Sequence, residues 1–408
     1  MLSPHGEEGL VKKKIQGTIY ACYTGYIVQA IINNFIPLLF ITFQNSYGIS
    51  LSKITLLISL NFMTQLVVDM LAPLFVDKIG YRASAVAAHG FAGAGLFLLT
   101  LLPDLLADPF TGLVIAVMVY AIGGGLLEVL ISPIVEALPT DNKEKAMSLL
   151  HSFYCWGHVA VVLLSTVFFA FFGTDNWKIL GLLWAIVPLA NIIAFLRVPI
   201  YPLLDHGEKG FSLLQMVKMP LFWLFMALMM CAGASEQSVS QWASTFAEQG
   251  LKVSKTIGDL AGPMFFAILM GTSRALYGKF GHKMKLNRVM MVSTLLCVVS
   301  YLIIALSPVP WLSLVACGIC GFSVGIMWPG TFSIAASMMR RGGTLLFALL
   351  ALAGDLGCAS GPALVGLVSD IGGGDLHKGI LVAIVFPLAL IVGLSVIQKV
   401  RHKPLVND

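Results

Sequence analysis

Apolar stretches separated by short polar loops follow one another along almost the whole chain. Each stretch holds about 20 residues or more, the length that an α-helix needs to cross the hydrocarbon core of a bilayer. The pattern therefore predicts an all-α membrane protein with twelve transmembrane helices. The predicted spans cover residues 15–43, 54–76, 83–102, 111–138, 146–172, 178–198, 217–246, 257–280, 288–306, 311–339, 343–368 and 379–400.

The first six spans and the last six repeat one layout. The loop 74–80, after the second span, has a counterpart at 275–281, after the eighth. A polar connector at 199–216 separates the halves. We therefore predict an N-terminal six-helix bundle at 1–198, a cytoplasmic linker at 199–216 and a C-terminal six-helix bundle at 217–408. Parallel six-helix repeats are typical of rocking secondary transporters, with the binding site at the repeat interface.

Composition and charge agree with a membrane protein. The chain has 408 residues, of which 58% are hydrophobic and 11% are charged, whereas a soluble domain has about 25% charged residues. With a cytoplasmic N-terminus, 19 of the 25 lysines and arginines fall in cytoplasmic segments, so the positive-inside rule places both termini there. We expect an integral protein of the plasma (inner) membrane, surrounded by the lipid bilayer. Because its net charge of +5 resides in loops, we expect no nucleic-acid partner.

Motifs for enzymatic chemistry are missing from the sequence. It contains no G-x-x-x-x-G-K-[ST] nucleotide loop, no nucleophile elbow and no H-E-x-x-H motif. The seven cysteines lie in apolar spans, and Cys317 and Cys320 lack a second pair of metal ligands. We expect no enzymatic activity, no cofactor and no metal site, and we expect ion gradients to drive transport.

An acidic residue lies near the middle of the fourth span. Glu128 follows Gly123, Gly124 and Gly125 and precedes Pro133. A carboxylate at that depth costs about 3 kcal/mol to insert, so it should face a partner or a water-filled cavity. The glycines permit another backbone to approach closely, and the proline loosens the helix. This combination predicts a site for the coupling ion or the substrate. The alternative is a glutamate held in a salt bridge that only supports helix packing.

The loop 73–82 holds an aspartate and an arginine, Asp77 and Arg82. It resembles the signature loop of the major facilitator superfamily, in which an aspartate and basic residues latch neighbouring helices, although Pro73 stands where glycine is usual. The resemblance implies gating roles for Asp77 and Arg82. We expect Asp69, about two turns earlier, to belong to the same inner gating network.

Within that superfamily, Gly123-x-Gly125-Leu-Leu-Glu128-x4-Pro133 resembles the fourth helix of the fucose permease family of sugar–proton symporters. The pair Asn33-Asn34 and the segment 149–157 continue the resemblance. It implies that Glu128 takes part in proton coupling and substrate binding.

One position departs from the fucose permease pattern. Pro37 stands where that family carries an aspartate. If coupling requires two carboxylates, the second must come from elsewhere, and Glu236 in the seventh span is the candidate. Both H⁺ and Na⁺ stay open as coupling ions.

Further polar groups lie in other spans. The run 233–242 places amides, hydroxyls and an indole on adjacent helical stripes, which suits a polyhydroxylated ligand; a polar mouth of the span is the alternative. In the fifth span Tyr154 lies level with Glu128 between two histidines, which are proton relays or hydrogen-bonded packing residues. The predicted substrate-binding residues are Asn33, Asn34, Glu128, Tyr154, Glu236, Gln237, Gln241, Trp242 and Trp328. The predicted ion-coupling residues are Glu128, His151, His158, Glu236 and Asp355, and the predicted gating residues are Asp69, Asp77 and Arg82.

These patterns predict a monomeric secondary transporter. It would carry a small polar solute, such as a sugar, together with H⁺ or Na⁺ by alternating access. A proton-driven efflux pump for lipophilic compounds is the alternative; 18 methionines and 25 phenylalanines favour it mildly, and the polar run 233–242 opposes it. A non-transporting sensor or scaffold would not need buried acids.

Overall fold

The computed structural model describes residues 4–49, 51–140, 142–203, 210–243, 260–372 and 375–402. Throughout these ranges the regular structure is helical, without strands. The helices of the first half are α1 (Pro4–Asn34), α2 (Phe40–Tyr47), α3 (Leu51–Ile79), α4 (Tyr81–Leu105), α5 (Pro109–Glu136), α6 (Lys143–Phe172) and α7 (Trp177–Arg197). Those that follow are α8 (Leu213–Val217), α9 (Pro220–Ser240), α10 (Phe265–Phe280), α11 (Leu286–Leu306), α12 (Pro310–Val324), α13 (Met327–Met338), α14 (Gly343–Ile371), α15 (Leu376–Ala383) and α16 (Val385–His402).

Helices occur at every predicted span, which confirms the all-α class. In the part of the chain that the structure describes, nine helical segments are long and apolar enough to cross a membrane. The other three predicted spans, 15–43, 217–246 and 257–280, contain α1, α9 and α10.

Helix breaks near prolines divide the first, tenth and twelfth predicted spans into shorter helices. In the first span, α1 stops at Asn34 and a 3₁₀ turn, Ile36–Leu39, contains Pro37. In the tenth span, α12 ends at Val324 and α13 begins at Met327, so the break precedes Pro329 instead of coinciding with it. The reason is that proline has no N–H and its ring displaces the carbonyl four residues earlier, here that of Gly325.

The chain divides into two compact units. The first consists of the described residues of Met1–Asp141, Phe153–Glu208 and Gly343–Ala348. The second consists of those of Asn142–Ser152, Lys209–Gly342 and Leu349–Asp408. The start of α6 therefore belongs to the second unit, and the start of α14 belongs to the first. The domain division at 199–216 stays a prediction.

Asp108 caps the helix that carries Glu128. Its carboxylate accepts hydrogen bonds from the backbone N–H of Phe110 and Thr111, at 3.3 and 3.2 Å, and from the Thr111 hydroxyl at 2.7 Å. These bonds, with that of the Thr111 hydroxyl foremost, hold the pKa of Asp108 below its usual range. Pro109 then occupies the first helical position, where its missing N–H costs nothing.

In the first unit the glycines before Glu128 bring helices into close contact. A Cβ atom on Gly123 would lie 2.5 Å from the carbonyl oxygen of Ala88 in α4. One on Gly125 would lie 2.9 Å from the carbonyl oxygen of Gln65 in α3. This close approach is what the glycine run predicts, and it sets the position of α5 against both neighbours.

Gly123→Ala should destabilise the protein, because its methyl group would meet backbone atoms that cannot move independently. Overpacking of this kind costs about 1–3 kcal/mol. Gly90→Ala in α4 is the matched control, since nothing lies within 4 Å of its added Cβ; alanine there should be neutral or stabilise the helix. Thermal unfolding of the purified variants in one detergent measures both effects. Equal melting temperatures for the two variants would contradict the packing argument.

Candidate functional site

The carboxylate of Glu128 lies in the first unit and bonds to a side-chain amide. Its Oε2 atom accepts a hydrogen bond from Nε2 of Gln29, in α1, at 2.7 Å. The residue is partly buried in the 28-residue helix α5. Among the described residues, the ion pairs do not include Glu128. The alternative that the sequence left open, a Glu128 held in a salt bridge that only supports packing, is therefore not found among the described residues.

Asn33 is the centre of a second polar group in the same unit. Its Oδ1 atom accepts hydrogen bonds from Nδ2 of Asn61, at 3.0 Å, and from Nε2 of Gln65, at 2.8 Å. Its own Nδ2 atom donates to the hydroxyl of Tyr154 at 3.5 Å. The neighbouring Asn34 instead donates to the carbonyl of Ala30 in its own helix, at 2.8 Å. The first unit thus connects the predicted residues Asn33 and Tyr154 through one amide network.

Asp69 lies beside Glu128. One carboxylate oxygen of Asp69 lies within 4.8 Å of a carboxylate oxygen of Glu128. Asp69 is 1% exposed, and it follows Asn61 and Gln65 on one face of α3 at intervals of four residues. Its gating role stays a prediction, but its position places a second carboxylate next to the first.

The predicted gating residues Asp77 and Arg82 bond to other groups in the first unit. An Asp77 oxygen accepts a hydrogen bond from the hydroxyl of Thr344 at 2.6 Å, and the hydroxyls of Thr344 and Tyr81 also bond to each other. Arg82 donates to the carbonyls at the end of α7, those of Phe195 at 2.7 Å and Leu196 at 2.9 Å. Arg82 therefore connects the start of α4 to the end of α7. The gating roles of Asp77 and Arg82 stay predictions.

In the second unit Glu236 forms an ion pair with Arg274. The distance from Oε2 of Glu236 to the Nη2 atom of Arg274 is 3.2 Å, and the two side chains are 14% and 5% exposed. Arg274 also donates from Nε to the carbonyl of Gly325 at 2.7 Å and from Nη1 to that of His151 at 3.2 Å. Because Pro329 lacks the N–H that would bond Gly325, the break in the tenth span supplies an acceptor for the arginine.

The polar run of the seventh span bonds largely along its own helix. Gln241 donates from Nε2 to Oε1 of Gln237 at 3.0 Å, and Gln237 donates from Nε2 to Oε1 of Glu236 at 3.4 Å. The indole of Trp242 donates to the carbonyl of Pro362 at 3.4 Å. Their substrate-binding roles stay predictions.

Trp328 packs against a glycine beside another predicted coupling residue. A Cβ on Gly354 would lie 2.2 Å from the ring of Trp328, and Gly354 directly precedes Asp355 in α14. The rings of His151 and Phe332 are 5.9 Å apart in the second unit. His151 and His158 belong to different compact units, although both lie on α6. The coupling roles of these residues stay predictions.

Three amide side chains that were not predicted from the sequence also belong to the site: Gln29, Asn61 and Gln65. A spacing signal was present, since Gln29 precedes Asn33 by four residues and Asn61, Gln65 and Asp69 share one stripe of an apolar span. Polar side chains at this period within a membrane helix face protein or water instead of lipid.

Comparison with known proteins identifies the family. The Major Facilitator Superfamily model matches residues 22–362, and no curated protein matches the chain. The structure is similar to that of the E. coli fucose:proton symporter, with a TM-score of 0.80 and 14% identity over 93% of this chain and 98% of that one. It is also similar to a proton:xylose symporter, with a TM-score of 0.78 and 14% identity over 95% and 96% of the chains. The human organic anion transporter MFSD10 gives a TM-score of 0.76 and 13% identity over 93% and 99%.

At such identities the structural similarities establish the fold alone, whereas the family model spans most of the sequence. The resemblance of the loop 73–82 to the signature loop of the major facilitator superfamily is thereby confirmed at the level of the superfamily. The chain belongs to the Major Facilitator Superfamily and is an integral membrane transporter, not an enzyme.

Proposed function

We propose that the protein is a cation-coupled symporter of a small polar solute, such as a sugar, that works by alternating access. Glu128 binds the coupling cation, H⁺ or Na⁺. Binding of the cation neutralises the carboxylate and lets the transporter switch the side of the membrane to which its site opens. The switch needs this because moving an uncompensated charge through the hydrocarbon region is costly.

The observation that carries this proposal is the pairing of Glu128 with the Gln29 amide instead of a basic residue. A carboxylate that is tied to an arginine has its charge balanced permanently. One that bonds only to a neutral amide needs a cation for balance, and it can release that cation. Glu128 has the second arrangement, whereas Glu236 has the first.

The amide network around Asn33 supports a polar solute. Asn61, Gln65 and Tyr154 surround Asn33 with groups that both donate and accept hydrogen bonds. Such groups match sugar hydroxyls, which also donate and accept, better than they match lipophilic compounds. Two of the structural neighbours are sugar–proton symporters.

The proposal includes the topology. Both termini lie in the cytoplasm, and the protein acts as a monomer in the plasma (inner) membrane. The two six-helix bundles on either side of the connector 199–216 repeat one layout. The distribution of lysine and arginine supports the orientation.

Uptake by proteoliposomes tests this function. The purified protein is reconstituted, a pH or sodium gradient is imposed, and the accumulation of labelled sugars, amino acids and lipophilic dyes is compared with protein-free vesicles. We expect accumulation of a sugar above its external concentration only while a cation gradient is present. Movement of lipophilic dyes alone, against a proton gradient, would replace this proposal with the efflux pump.

A further inference from the structure

We propose that Asp69, Glu128 and the side-chain carbonyl of Gln29 form a sodium site in the first unit. This inference deepens the proposed function, since it names the coupling ion and a second carboxylate at the same site. It assigns Asp69 to cation binding.

The two carboxylates are close enough to share one ion. Oxygen ligands surround cations of this size at about 2.3–2.6 Å, so two oxygens on opposite sides of one ion lie about 5 Å apart or less. The carboxylate oxygens of Asp69 and Glu128 lie within 4.8 Å of each other. Two adjacent negative charges in an apolar bundle repel each other strongly unless a cation or a proton compensates for one of them.

The amide of Gln29 provides an independent indication of a ligand. Its Nε2 atom donates to Glu128 at 2.7 Å, so Oε1, on the same amide carbon, also lies near that carboxylate. Its Oε1 atom is buried without a hydrogen-bond partner, and the residue is 3% exposed. An unsatisfied buried carbonyl costs about 1–3 kcal/mol. A cation beside Glu128 would remove this cost, because Oε1 belongs to the same amide group.

The chemistry of the three ligands favours sodium. Carboxylate and amide oxygens are hard donors, which select alkali and alkaline-earth ions over transition metals. Of the two coupling ions in the proposed function, H⁺ and Na⁺, sodium is the one that coordinates several oxygens at once, an amide carbonyl among them. A proton shared by Asp69 and Glu128 would leave the role of Gln29 Oε1 unexplained.

The same geometry explains the departure at Pro37. The fucose permease family carries an aspartate at the position of Pro37, so a mechanism with two carboxylates needs its second acid from elsewhere. The sequence offered Glu236 as the candidate. Because Glu236 pairs with Arg274, its charge is already compensated. Asp69 on α3 supplies the second carboxylate beside Glu128 instead.

Sodium-dependent thermal stability tests the site without any solute. The full-length purified protein is unfolded at one pH in increasing NaCl, with choline chloride keeping the ionic strength constant. We expect sodium to raise the melting temperature of the wild type, and we expect Asp69→Asn and Glu128→Gln to lose this rise. Gln29→Met, which keeps the size of the side chain but removes its oxygen, should increase the half-maximal sodium concentration at least tenfold. Asp104→Asn, which changes an exposed acid paired with Lys178, should respond like the wild type.

The outcomes separate this inference from the proposed function. A wild-type rise that persists in Asp69→Asn, or no sodium effect in the wild type, overturns the sodium site. Sugar uptake driven by a pH gradient would then leave the symporter proposal intact. Conversely, a sodium effect that needs Asp69 supports the site even if no sugar is transported. If Asp69→Asn does not fold, the Gln29→Met titration decides, since an unchanged sodium midpoint there also overturns the proposal.

Discussion

Glu128→Gln should abolish cation-driven accumulation of the solute while leaving exchange of solute across the membrane. A glutamine is nearly isosteric with the carboxylate, and it stays uncharged at every step of the cycle. Without the Glu128 carboxylate the site no longer holds the cation, so the solute crosses without it and the two movements are no longer coupled. Because the amide can still form a hydrogen bond with Gln29, we expect the local packing to survive.

The expected size of the effect follows from the gradient. A monovalent cation that crosses a potential of about 100 mV releases about 2.3 kcal/mol, which corresponds to an accumulation of about fiftyfold at equilibrium. Loss of coupling reduces the accumulation ratio in proteoliposomes to about one, whereas counterflow of labelled solute continues. Counterflow is the necessary second measurement, because a misfolded variant loses both activities.

Asp104→Asn is the matched control for the loss of one carboxylate. Asp104 lies in the same compact unit, and its side chain is 49% exposed, beside Lys178. A surface pair of this kind contributes at most about 1 kcal/mol, so accumulation should remain near the wild-type level. If Glu128→Gln still accumulates solute against its gradient, Glu128 does not bind the coupling cation.

The sequence predicted the helices because the bilayer imposes a length and a polarity that each span must meet. It also predicted the close contacts at Gly123 and Gly125, since glycine has no side chain and lets the backbones of membrane helices approach closely. The exact break in the tenth span was harder to place. A proline acts on the carbonyl four residues earlier, so the helix opens at Gly325 instead of at Pro329.

The partners of the polar residues could not be read from the sequence. Helical spacing places Asp69, Gln65 and Asn61 on one stripe, but it does not say which helix that stripe faces. The proximity of Asp69 to Glu128 depends on the packing of α3 against α5, which the glycines allow but do not specify. In the same way, the sequence does not say which acidic residue pairs with Arg274.

Arg274 has the largest structural role that we predict for a single polar side chain. It is 5% exposed, and it bonds to the Glu236 carboxylate and to the carbonyls of Gly325 and His151. Its own carbonyl accepts a hydrogen bond from the Ser148 hydroxyl at 2.8 Å. One residue therefore connects α10 to the seventh span, to the break in the tenth span and to the start of α6.

Arg274→Met should destabilise the protein by about 3–5 kcal/mol, the cost of leaving a buried charge without its partner. Methionine fills a similar volume, so the loss measures the Glu236 charge and the two carbonyls instead of a cavity. Chemical or thermal unfolding of the purified variant in detergent gives the difference from the wild type. A loss below about 1 kcal/mol, typical of an exposed pair, would contradict a buried ion pair.

The double variant Glu236→Gln/Arg274→Met separates the charge from the packing. Removing both charges should recover most of the lost stability, since replacing a buried ion pair by neutral groups is often close to neutral. What is not recovered measures the hydrogen bonds to Gly325 and His151, which methionine cannot form.

If Glu236 instead carried the coupling cation, Glu236→Gln alone would abolish accumulation in proteoliposomes. We expect that single variant to retain gradient-driven uptake, because the proposed cation site, Glu128 and Asp69, lies in the other unit. Additive losses in the double variant would show that Glu236 and Arg274 do not interact. The contrast between Glu236, whose charge is balanced by Arg274, and Glu128, which bonds to a neutral amide, would then not hold.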